Sequence, residues 1–337
     1  MIRFDYFRTD NVAEAIRAGT PDHAAFLAGG TNLVDLMKEN VARPLELIDI
    51  NQLPLREVTE LDDGGLRLGA LVTNSETAYD RRVQARYPML ASAILAGASP
   101  QLRNAATNGG NLNQRTRCYY FYDIDTPCNK RAPGQGCGAL GGYNRVHAVL
   151  GTSDHCIATH PSDMCVSLAA LEARVQVAGP EGERTIAFAD YHRLPGDEPW
   201  RDNTLRPGEI VTAIDLPAEG FAANHTYLKL RDRRSYAFAL VSVAVGLRLE
   251  DGRVAKAGIA MGGVAHKPWR RHEAEDLLIG REPSDKLFAE VADALLAGAV
   301  GQPTNAFKIE LGRRAVVRAL RQAAAGTPQS QTDKRIA

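Results

Sequence analysis

Residues 24–40, AAFLAGGTNLVDLMKEN, decide how the first part of this chain folds. An apolar run meets a Gly-Gly-Thr turn, and a helical pattern follows with Leu33, Leu36 and Met37 on one face, which predicts a strand, a tight turn and a helix. At such a turn, backbone amides and the helix N-terminus can hold a phosphate. The GxGxxG fingerprint is absent, so a tight turn without a ligand is an equal alternative at this point.

The segments around this stretch predict a mixture of helices and strands. NVAEAIRA (11–18) predicts a helix, PLELIDINQL (44–53) a buried strand, and GGLRLGALVTNSETAYD (64–80) a strand followed by a helix capped near Asn74 or Ser75. YPMLASAILAGASPQLRNAATNGGNLNQ (87–114) predicts a helix that ends at a second glycine-rich turn.

The second glycine-rich turn, TNGGN (107–111), combines amide donors, a hydroxyl and side-chain-free backbone. A pyrophosphate and a ribityl chain need that mixture of groups. An Asn-Gly turn whose side chains cap their own backbone is the alternative.

The second half of the chain predicts strands and then helices. THPSDMCVSLAALEARVQV (159–177) predicts a helix and a strand, and TIAFADYHRL (185–194) and IVTAIDLP (210–217) predict further strands. We expect a domain boundary near residue 222, an antiparallel meander over 229–270 with a hairpin at 250–252, then helices to residue 326 and a frayed tail over 327–337.

Composition narrows the class of protein. The chain has 337 residues with 40 basic and 40 acidic side chains, so no global field favours nucleic acid or an anionic membrane. No apolar run approaches the roughly 20 residues of a membrane span, and the first residues lack the features of a signal peptide. Five cysteines, an odd number, favour reduced thiols and folding in the cytoplasm.

Four of the five cysteines lie in residues 115–158, where neither a helical nor a strand period is visible: Cys118, Cys128, Cys137 and Cys156. Their spacings of 10, 9 and 19 residues match neither a zinc finger nor a ferredoxin run. Cys165 lies in an apolar helix and is expected to be a buried hydrophobic residue. His147, His155 and His160 are close by in sequence, but four thiolates already complete a cubane.

The composition of this segment favours an iron-sulfur site. The aromatic run 119–122 can exclude water, and five basic residues can offset an anionic four-thiolate cluster. They are Arg115, Arg117, Lys130, Arg131 and Arg145. Glycines at 134, 136 and 138 let the backbone turn so that its amides reach sulfur.

Five motifs in fixed order carry a resemblance that covers residues 1 to about 325: AGGTNLVDLM, TNGGNLNQ, HPSDMCVSLAAL, KLRDRRSYAFALVSVAV and GIAMGGVAHKP. The set resembles the FAD-binding subunit of molybdenum hydroxylases. The resemblance implies an α+β fold, with a PCMH/VAO-type FAD-binding domain over 1–222 made of subdomains at about 1–58 and 59–222. A smaller α+β domain over 223–326 would follow, with an antiparallel sheet like the C-terminal domain of carbon monoxide dehydrogenase flavoprotein.

The resemblance also implies the FAD contacts. Phe26, Leu27, Ala28, Gly29, Gly30, Thr31, Asn32, Leu33 and Val34 would wrap the diphosphate, and Thr107, Asn108, Gly110 and Asn111 would form the second wall. Asp163 would face sugar or ribityl hydroxyls, and Lys229 would lie near the isoalloxazine. The alternatives are a helix N-cap for Asp163 and an exposed strand cation for Lys229.

The cysteine segment departs from most members of this family, which lack such an insertion. CNKR (128–131) and GYNRVHAVLGTSDHCIATHPSD (142–163) look most like bacterial periplasmic aldehyde oxidoreductase, and 4-hydroxybenzoyl-CoA reductase is the other relative with an insertion. The resemblance implies a 4Fe-4S cluster on Cys118, Cys128, Cys137 and Cys156. Structural zinc and unmetallated or disulfide-linked thiols are the alternatives.

The implied function is electron transfer within a heterotrimeric molybdenum-dependent aldehyde oxidoreductase. FAD would take electrons from the 2Fe-2S clusters of a small partner subunit, which receives them from a large molybdenum subunit, and pass them to an external acceptor. No catalytic side chain is expected, and the complex would be exported to the periplasm on a partner's twin-arginine signal. Alternatives are a subunit of a 4-hydroxybenzoyl-CoA reductase-like or xanthine dehydrogenase-like enzyme, a stand-alone FAD oxidase, and a zinc-stapled assembly module without flavin.

Overall fold

The first 50 residues of the computed structural model form a three-stranded parallel sheet with strand order β1-β3-β2. The structure describes residues 1–326, and the predicted tail, 327–337, lies outside the described residues. The predicted strand, turn and helix are confirmed. The elements are β1 (Asp5–Arg8), α1 (Val12–Ala18), β2 (Ala24–Leu27), α2 (Leu33–Lys38) and β3 (Glu46–Asp49).

A five-stranded antiparallel sheet with strand order β4-β5-β8-β6-β7 follows. Helices α5 and α9 pack against each other beside it and fill the largest core with fully buried residues such as Leu90 and Leu168. The elements are β4 (Val58–Glu60), β5 (Leu66–Gly69), α3 (Asn74–Tyr79), α4 (Arg81–Arg86), α5 (Pro88–Ala96), α6 (Pro100–Ala105), α7 (Asn108–Leu112), α8 (Tyr119–Tyr122), α9 (Asp163–Ala170), β6 (Arg174–Gly179), β7 (Gly182–Ala187), α10 (Phe188–Tyr191) and β8 (Ile210–Leu216).

Three local predictions in this region are wrong in detail. The cap of α3 is Thr73, one residue before the predicted position, because its side chain and that of Glu76 form a capping box. Residues 87–114 form three helices, since the backbone is extended at Gly97 and Ala106 and a new helix begins after each break. The strand predicted over 185–194 stops at Ala187, where α10 begins.

The last sheet is the predicted antiparallel meander, with strand order β11-β10-β9. Asp251 and Gly252 both have positive φ, 50° and 76°, as a tight Asp-Gly hairpin requires. The elements are β9 (Asn224–Leu230), β10 (Val241–Glu250), β11 (Arg253–Gly262), α11 (His272–Asp276), α12 (Asp285–Leu295) and α13 (Phe307–Ala324).

This meander lies between two helical layers. Helices α12 and α13 cover one face with a core of their own, and α5 and α9 pack on the other face, where Tyr227 and Ala244 join the largest core. Strand β9 therefore reaches the region of the glycine-rich turns. Within residues 1–326, no helix combines the length and the apolar character that crossing a bilayer demands.

Candidate cofactor cavity and cysteine centre

A cavity of about 420 Å³ lies where the two glycine-rich turns meet. The first turn contributes Gly30, Thr31 and Asn32 to its wall, and the second contributes Gly110 and Asn111. Asp163 at the start of α9 and Lys229 on β9 complete the far side. The fold thus brings together residues that are about 200 positions apart in sequence, as a site for one extended ligand requires.

The two adjacent glycines of the first turn have different roles. Gly30 lines the cavity and has φ +70°, a conformation that side-chain-bearing residues rarely adopt. A Cβ on Gly29 would lie 1.9 Å from the carbonyl oxygen of Ala105, so Gly29 lets the turn pack against the end of α6.

The second turn is the start of helix α7, and its polar residues divide into lining and supporting groups. Thr107 caps the helix by accepting from the Gly110 amide at 3.1 Å, and Asn108 is fully buried and donates to Thr77 Oγ1 at 2.9 Å. Asn111 reaches the cavity, where its side-chain oxygen accepts from Ser162 Oγ at 2.6 Å.

Several predicted contact residues lie behind the cavity wall. Phe26 and Ala28 pack in the core of the first sheet, since their backbone carries the strand into that core. The predicted residues that do not line the cavity are Phe26, Leu27, Ala28, Gly29, Leu33, Thr107 and Asn108, whereas Val34 does line it. The seven residues behind the cavity wall shape the backbone of the two turns instead.

Three buried nitrogens of the cavity-lining residues have no hydrogen-bond partner in the described part of the chain: Asn32 Nδ2, Arg103 Nε and Arg117 Nε. All three can only donate, and two belong to guanidinium groups. Unpartnered buried donors are rare in proteins, and together they suit an anionic ligand such as a diphosphate. Sequence reasoning missed Arg103, whose only signal was its position four residues before the second turn.

Asp163 and Lys229 form a buried ion pair, with 2.7 Å between Oδ2 and Nζ and side-chain exposures of 8% and 4%. Tyr227 Oη donates to the other carboxylate oxygen at 2.5 Å. Burial and the neighbouring carboxylate raise the pKa of Tyr227 well above its usual value, so the phenol stays a donor. The N-cap of α9 is Ser162, so both alternatives, Asp163 as N-cap and Lys229 as exposed cation, are wrong.

The four clustered cysteines line one small enclosed cavity. All are free thiols, and the backbones of Cys128 and Cys137 pair as an isolated bridge. Burial raises the pKa of Cys118 to about 12 and that of Cys156 to about 11, so the thiols hold their protons until a cation replaces them.

The loop around these thiols is held by one guanidinium and by glycines. Arg131 Nη1 donates to the carbonyl oxygens of Tyr120 and Phe121 at 2.7 and 3.0 Å, which anchors the single-turn helix α8. Gly134 and Gly136 have φ of +85° and +89°, in agreement with the predicted tight turns. Within 115–158 the structure has this short helix and isolated bridges, close to the prediction of irregular structure.

The surroundings of the thiols correct two expectations. Phe121 is fully buried beside the cysteines, but Tyr119 is 56% exposed and excludes no water. Four of the five basic residues form ion pairs with three aspartates: Arg115 and Lys130 share Asp202, Arg117 pairs with Asp35, and Arg145 pairs with Asp232. Lys130 is nevertheless buried and close enough to Cys156 to oppose the rise of its pKa.

The spacing of the sulfurs distinguishes classes of metal site. Sulfurs that share one tetrahedral zinc with Zn–S bonds of 2.3 Å lie roughly 3.8 Å apart. Among the described residues, the group of three or more potential ligands whose atoms all lie within 4.8 Å of one another is His160, Cys165 and His192, so no three of the four clustered thiols approach that closely. The cavity that the four thiols line is small, about 10 Å³.

The group of His160, Cys165 and His192 has a simpler explanation than a metal. His192 Nε2 lies 2.9 Å from the Leu112 carbonyl and must donate to it, which leaves a bare lone pair on Nδ1. His160 Nδ1 accepts from the Ser162 amide, so Nε2 carries the proton. Each ring thus has one hydrogen bond to the backbone, its other nitrogen has no partner among the described residues, and Cys165 is a fully buried thiol whose pKa burial raises to about 12.

A second cavity, of about 270 Å³, lies between the first cavity and the cysteines. It shares Arg117, Asp163 and Phe238 with the first cavity, and its opposite wall includes Cys118 and His147. The second cavity therefore adjoins both the first cavity and the cysteine centre.

Comparisons with known proteins agree with this geometry. The profile of the family described as the FAD binding domain in molybdopterin dehydrogenase matches residues 2–219, and that of the CO dehydrogenase flavoprotein C-terminal domain matches 226–323. The aldehyde oxidoreductase FAD-binding subunit PaoB of Escherichia coli strain K12 is 48% identical over 96% of this chain and 99% of its own length. The glyceraldehyde dehydrogenase medium chain of Sulfolobus acidocaldarius is 26% identical over 94% and 95%.

Solved structures share the fold over nearly the whole chain. CO dehydrogenase from Oligotropha carboxidovorans superposes with a TM-score of 0.76 at 24% identity, covering 97% of this chain and 100% of that one. CO dehydrogenase from Hydrogenophaga pseudoflava superposes with a TM-score of 0.75 at 27% identity, covering 97% of this chain and 99% of that one. The chain is therefore an oxidoreductase subunit that belongs to the family of FAD-binding medium subunits of molybdenum hydroxylases.

Proposed function

We propose that this chain is the electron-transfer subunit of a heterotrimeric, molybdenum-dependent aldehyde oxidoreductase and that it carries FAD and a 4Fe-4S cluster. The observation that carries the proposal is the convergence of two glycine-rich turns on a cavity with three unpartnered buried donors, near four free thiols that line one small cavity. The 48% identity to an aldehyde oxidoreductase subunit supports aldehydes over other substrate classes.

The cavity residues fit FAD. Gly30 and Gly110 allow close approach of a diphosphate, and Arg103 and Arg117 offer the unpartnered N–H groups that such an anion needs. Asp163 accepts from hydroxyl donors and holds Lys229 at the cavity wall. Bound FAD supplies the exchange between one- and two-electron steps.

The cysteine centre fits an iron-sulfur cluster better than zinc. Support comes from four reduced thiols on one cavity, three of them buried, no three of which lie within 4.8 Å of one another. Such a cluster supplies one-electron transfer, while the chain contributes Arg131 and the glycine turns that hold the thiols apart.

We further propose a large molybdenum-cofactor subunit and a small subunit with two 2Fe-2S clusters as partners, and an external oxidant as the final acceptor. The family membership supports this division of labour, as does the absence of an acid-base dyad in the FAD cavity, where Asp163 is paired with Lys229. Cluster assembly on reduced thiols suits the cytoplasm, and export with a partner that has a twin-arginine signal would follow.

Affinity isolation of the chain from its native host tests the proposal. We expect two partners, stoichiometric FAD, molybdenum and iron, and recovery of the complex in the periplasmic fraction. The variant Cys128→Ser should lose iron but keep FAD, because the two cavities have different walls. Isolation of a colourless single chain, or full iron content in Cys128→Ser, would contradict it.

A further inference from the structure

His147 is buried in the wall between the cysteine centre and the second cavity. The residue is 1% exposed, and its Nε2 lies 3.0 Å from Cys118 Sγ. It is one of the few residues that line both cavities, together with Thr116 and Cys118. The ring is therefore in contact with a sulfur at the corner of the centre that faces the FAD cavity.

The backbone of His147 fixes the ring at this position. Its amide donates to Asn144 O at 2.9 Å, and its carbonyl oxygen accepts from Lys308 Nζ at 2.8 Å and from Asn305 Nδ2 at 3.3 Å. These bonds do not involve the imidazole, so the side chain can be replaced without removing them. Tyr120 packs against the ring with 6.1 Å between centroids.

The tautomer of His147 follows from its hydrogen-bond partner, Cys118. A cluster-bound thiolate has no proton to donate, so the imidazole must carry its proton on Nε2 and direct it at the sulfur. Nδ1 has no partner among the described residues, which leaves Cys118 as the group that orients the ring. A hydrogen bond to a ligand sulfur stabilises the more negative, reduced state of an iron-sulfur centre and raises its reduction potential.

We propose that His147 is a positioning residue for electron transfer: its Nε2–H donates to Cys118 and raises the potential of the cysteine centre at the corner that faces FAD. This inference rests on the proposed iron-sulfur centre. It implies that the reduction potential of the centre depends on a residue in the wall that adjoins the FAD cavity.

A potentiometric titration of the cluster, followed by electron paramagnetic resonance in the intact complex, tests the proposal. His147→Phe keeps the ring volume but removes the donor, and we expect the reduction equilibrium to fall about tenfold, or about 59 mV for one electron. His147→Gln retains an N–H donor and should remain close to the wild type. His155→Phe is the matched control, because His155 lines the same cavity but is half exposed and makes no contact with sulfur.

Iron content separates this inference from the proposed function. A chain without four iron atoms overturns the cluster itself, whereas a full cluster with equal potentials in all four proteins overturns only the role of His147. If His147→Phe does not fold, hyperfine spectroscopy of the wild type labelled with ¹⁵N-histidine decides the matter. A histidine nitrogen and an exchangeable proton coupled to the cluster support the proposal, and their absence overturns it.

Discussion

Gly29 and Gly30 are neighbours in the chain, but only one of them faces the proposed ligand. Gly29 is required because the backbone of α6 occupies the space of a Cβ, and Gly30 because its φ of +70° places the turn at the cavity wall. The sequence predicts the turn from its two glycines, but it contains no signal that separates these roles. The separation depends on Ala105, which is 76 residues away.

Gly30→Val should yield flavin-poor protein, because the new side chain crowds Val34 at the cavity wall and displaces the turn. The left-handed backbone should also cost about 1–2 kcal/mol of stability. Gly64→Val is the matched control, since Gly64 has φ +82° in an open surface turn and bears the same backbone cost. Absorbance gives the ratio of FAD to protein, and equal ratios in the two variants would show that Gly30 does not approach the ligand.

Lys229→Met should destabilise the protein by about 3 kcal/mol, because it leaves the buried carboxylate of Asp163 without its cation. Chemical denaturation of the flavin-free protein measures the free energy of unfolding. Lys256→Met, which removes an exposed lysine 4.0 Å from Glu172, should cost less than about 1 kcal/mol. Similar losses in the two variants would contradict the buried pair.

At the scale of elements, helix α13 holds the cysteine segment in place although it belongs to the last domain. Lys308 is fully buried, and its Nζ donates to the carbonyl oxygens of His147 and Gly263, while burial lowers its pKa to about 7. Thr304 and Asn144 add a hydrogen bond of 2.6 Å between their side chains. The sequence pattern does not reveal this contact, since a lysine in an amphipathic helix is usually solvated.

Lys308→Met should loosen residues 144–158, because the carbonyls of Val146 and His147 each lose one hydrogen-bond donor. We expect hydrogen exchange there to accelerate about tenfold, which corresponds to about 1.4 kcal/mol of local stability. The control is Lys286→Met on the exposed side of α12. Unchanged exchange in peptides from the cysteine segment would contradict the role of Lys308.

Strands and helices with a clear period were predictable, and their ends were less so. The meander follows from alternation and an Asp-Gly turn, which are local signals. The division of residues 87–114 into three helices depends on tertiary packing around Gly97 and Ala106, so the sequence pattern alone favours one helix. The order of strands in the five-stranded sheet is likewise set by contacts distant in sequence.

At the scale of the whole molecule, histidines are buried where the first and last domains meet. His192 and His266 are buried, and burial lowers the pKa of each to about 4 from the ordinary 6.5. Between pH 4 and pH 6.5, the unfolded chain therefore binds more protons than the folded chain. Their stabilising contribution is complete above pH 6.5 and is lost as the pH falls towards 4.

The free energy of unfolding should consequently rise with pH between 4 and 6.5, by about 1.4 kcal/mol per pH unit for each buried histidine. Denaturation at a series of pH values gives the slope. His192→Gln should lower that slope by about 1.4 kcal/mol per pH unit, the contribution of one proton. His155→Gln, which changes an exposed histidine, should leave the slope unchanged. An unchanged slope in His192→Gln would contradict burial of the neutral ring.

The overall class of the protein was predictable because ordered motifs carry it, and the comparisons confirm the family over both domains. Two features were not predictable from the sequence: the pairing of Asp163 with Lys229, and the second cavity. Both depend on how β9 meets α9. Spacing along the chain also leaves the metal class of the four thiols open. The structure adds that all four thiols line one small cavity.

Native mass spectrometry of anaerobically isolated chain tests the central claim most directly, since it weighs both cofactors on one polypeptide. We expect a mass increase equal to one FAD plus four iron and four sulfide ions. In Cys128→Ser, the iron and the sulfide should both be lost. A chain that carries FAD with a single zinc ion, or FAD with no metal, would contradict the claim that the cysteine segment encloses a 4Fe-4S cluster beside the flavin.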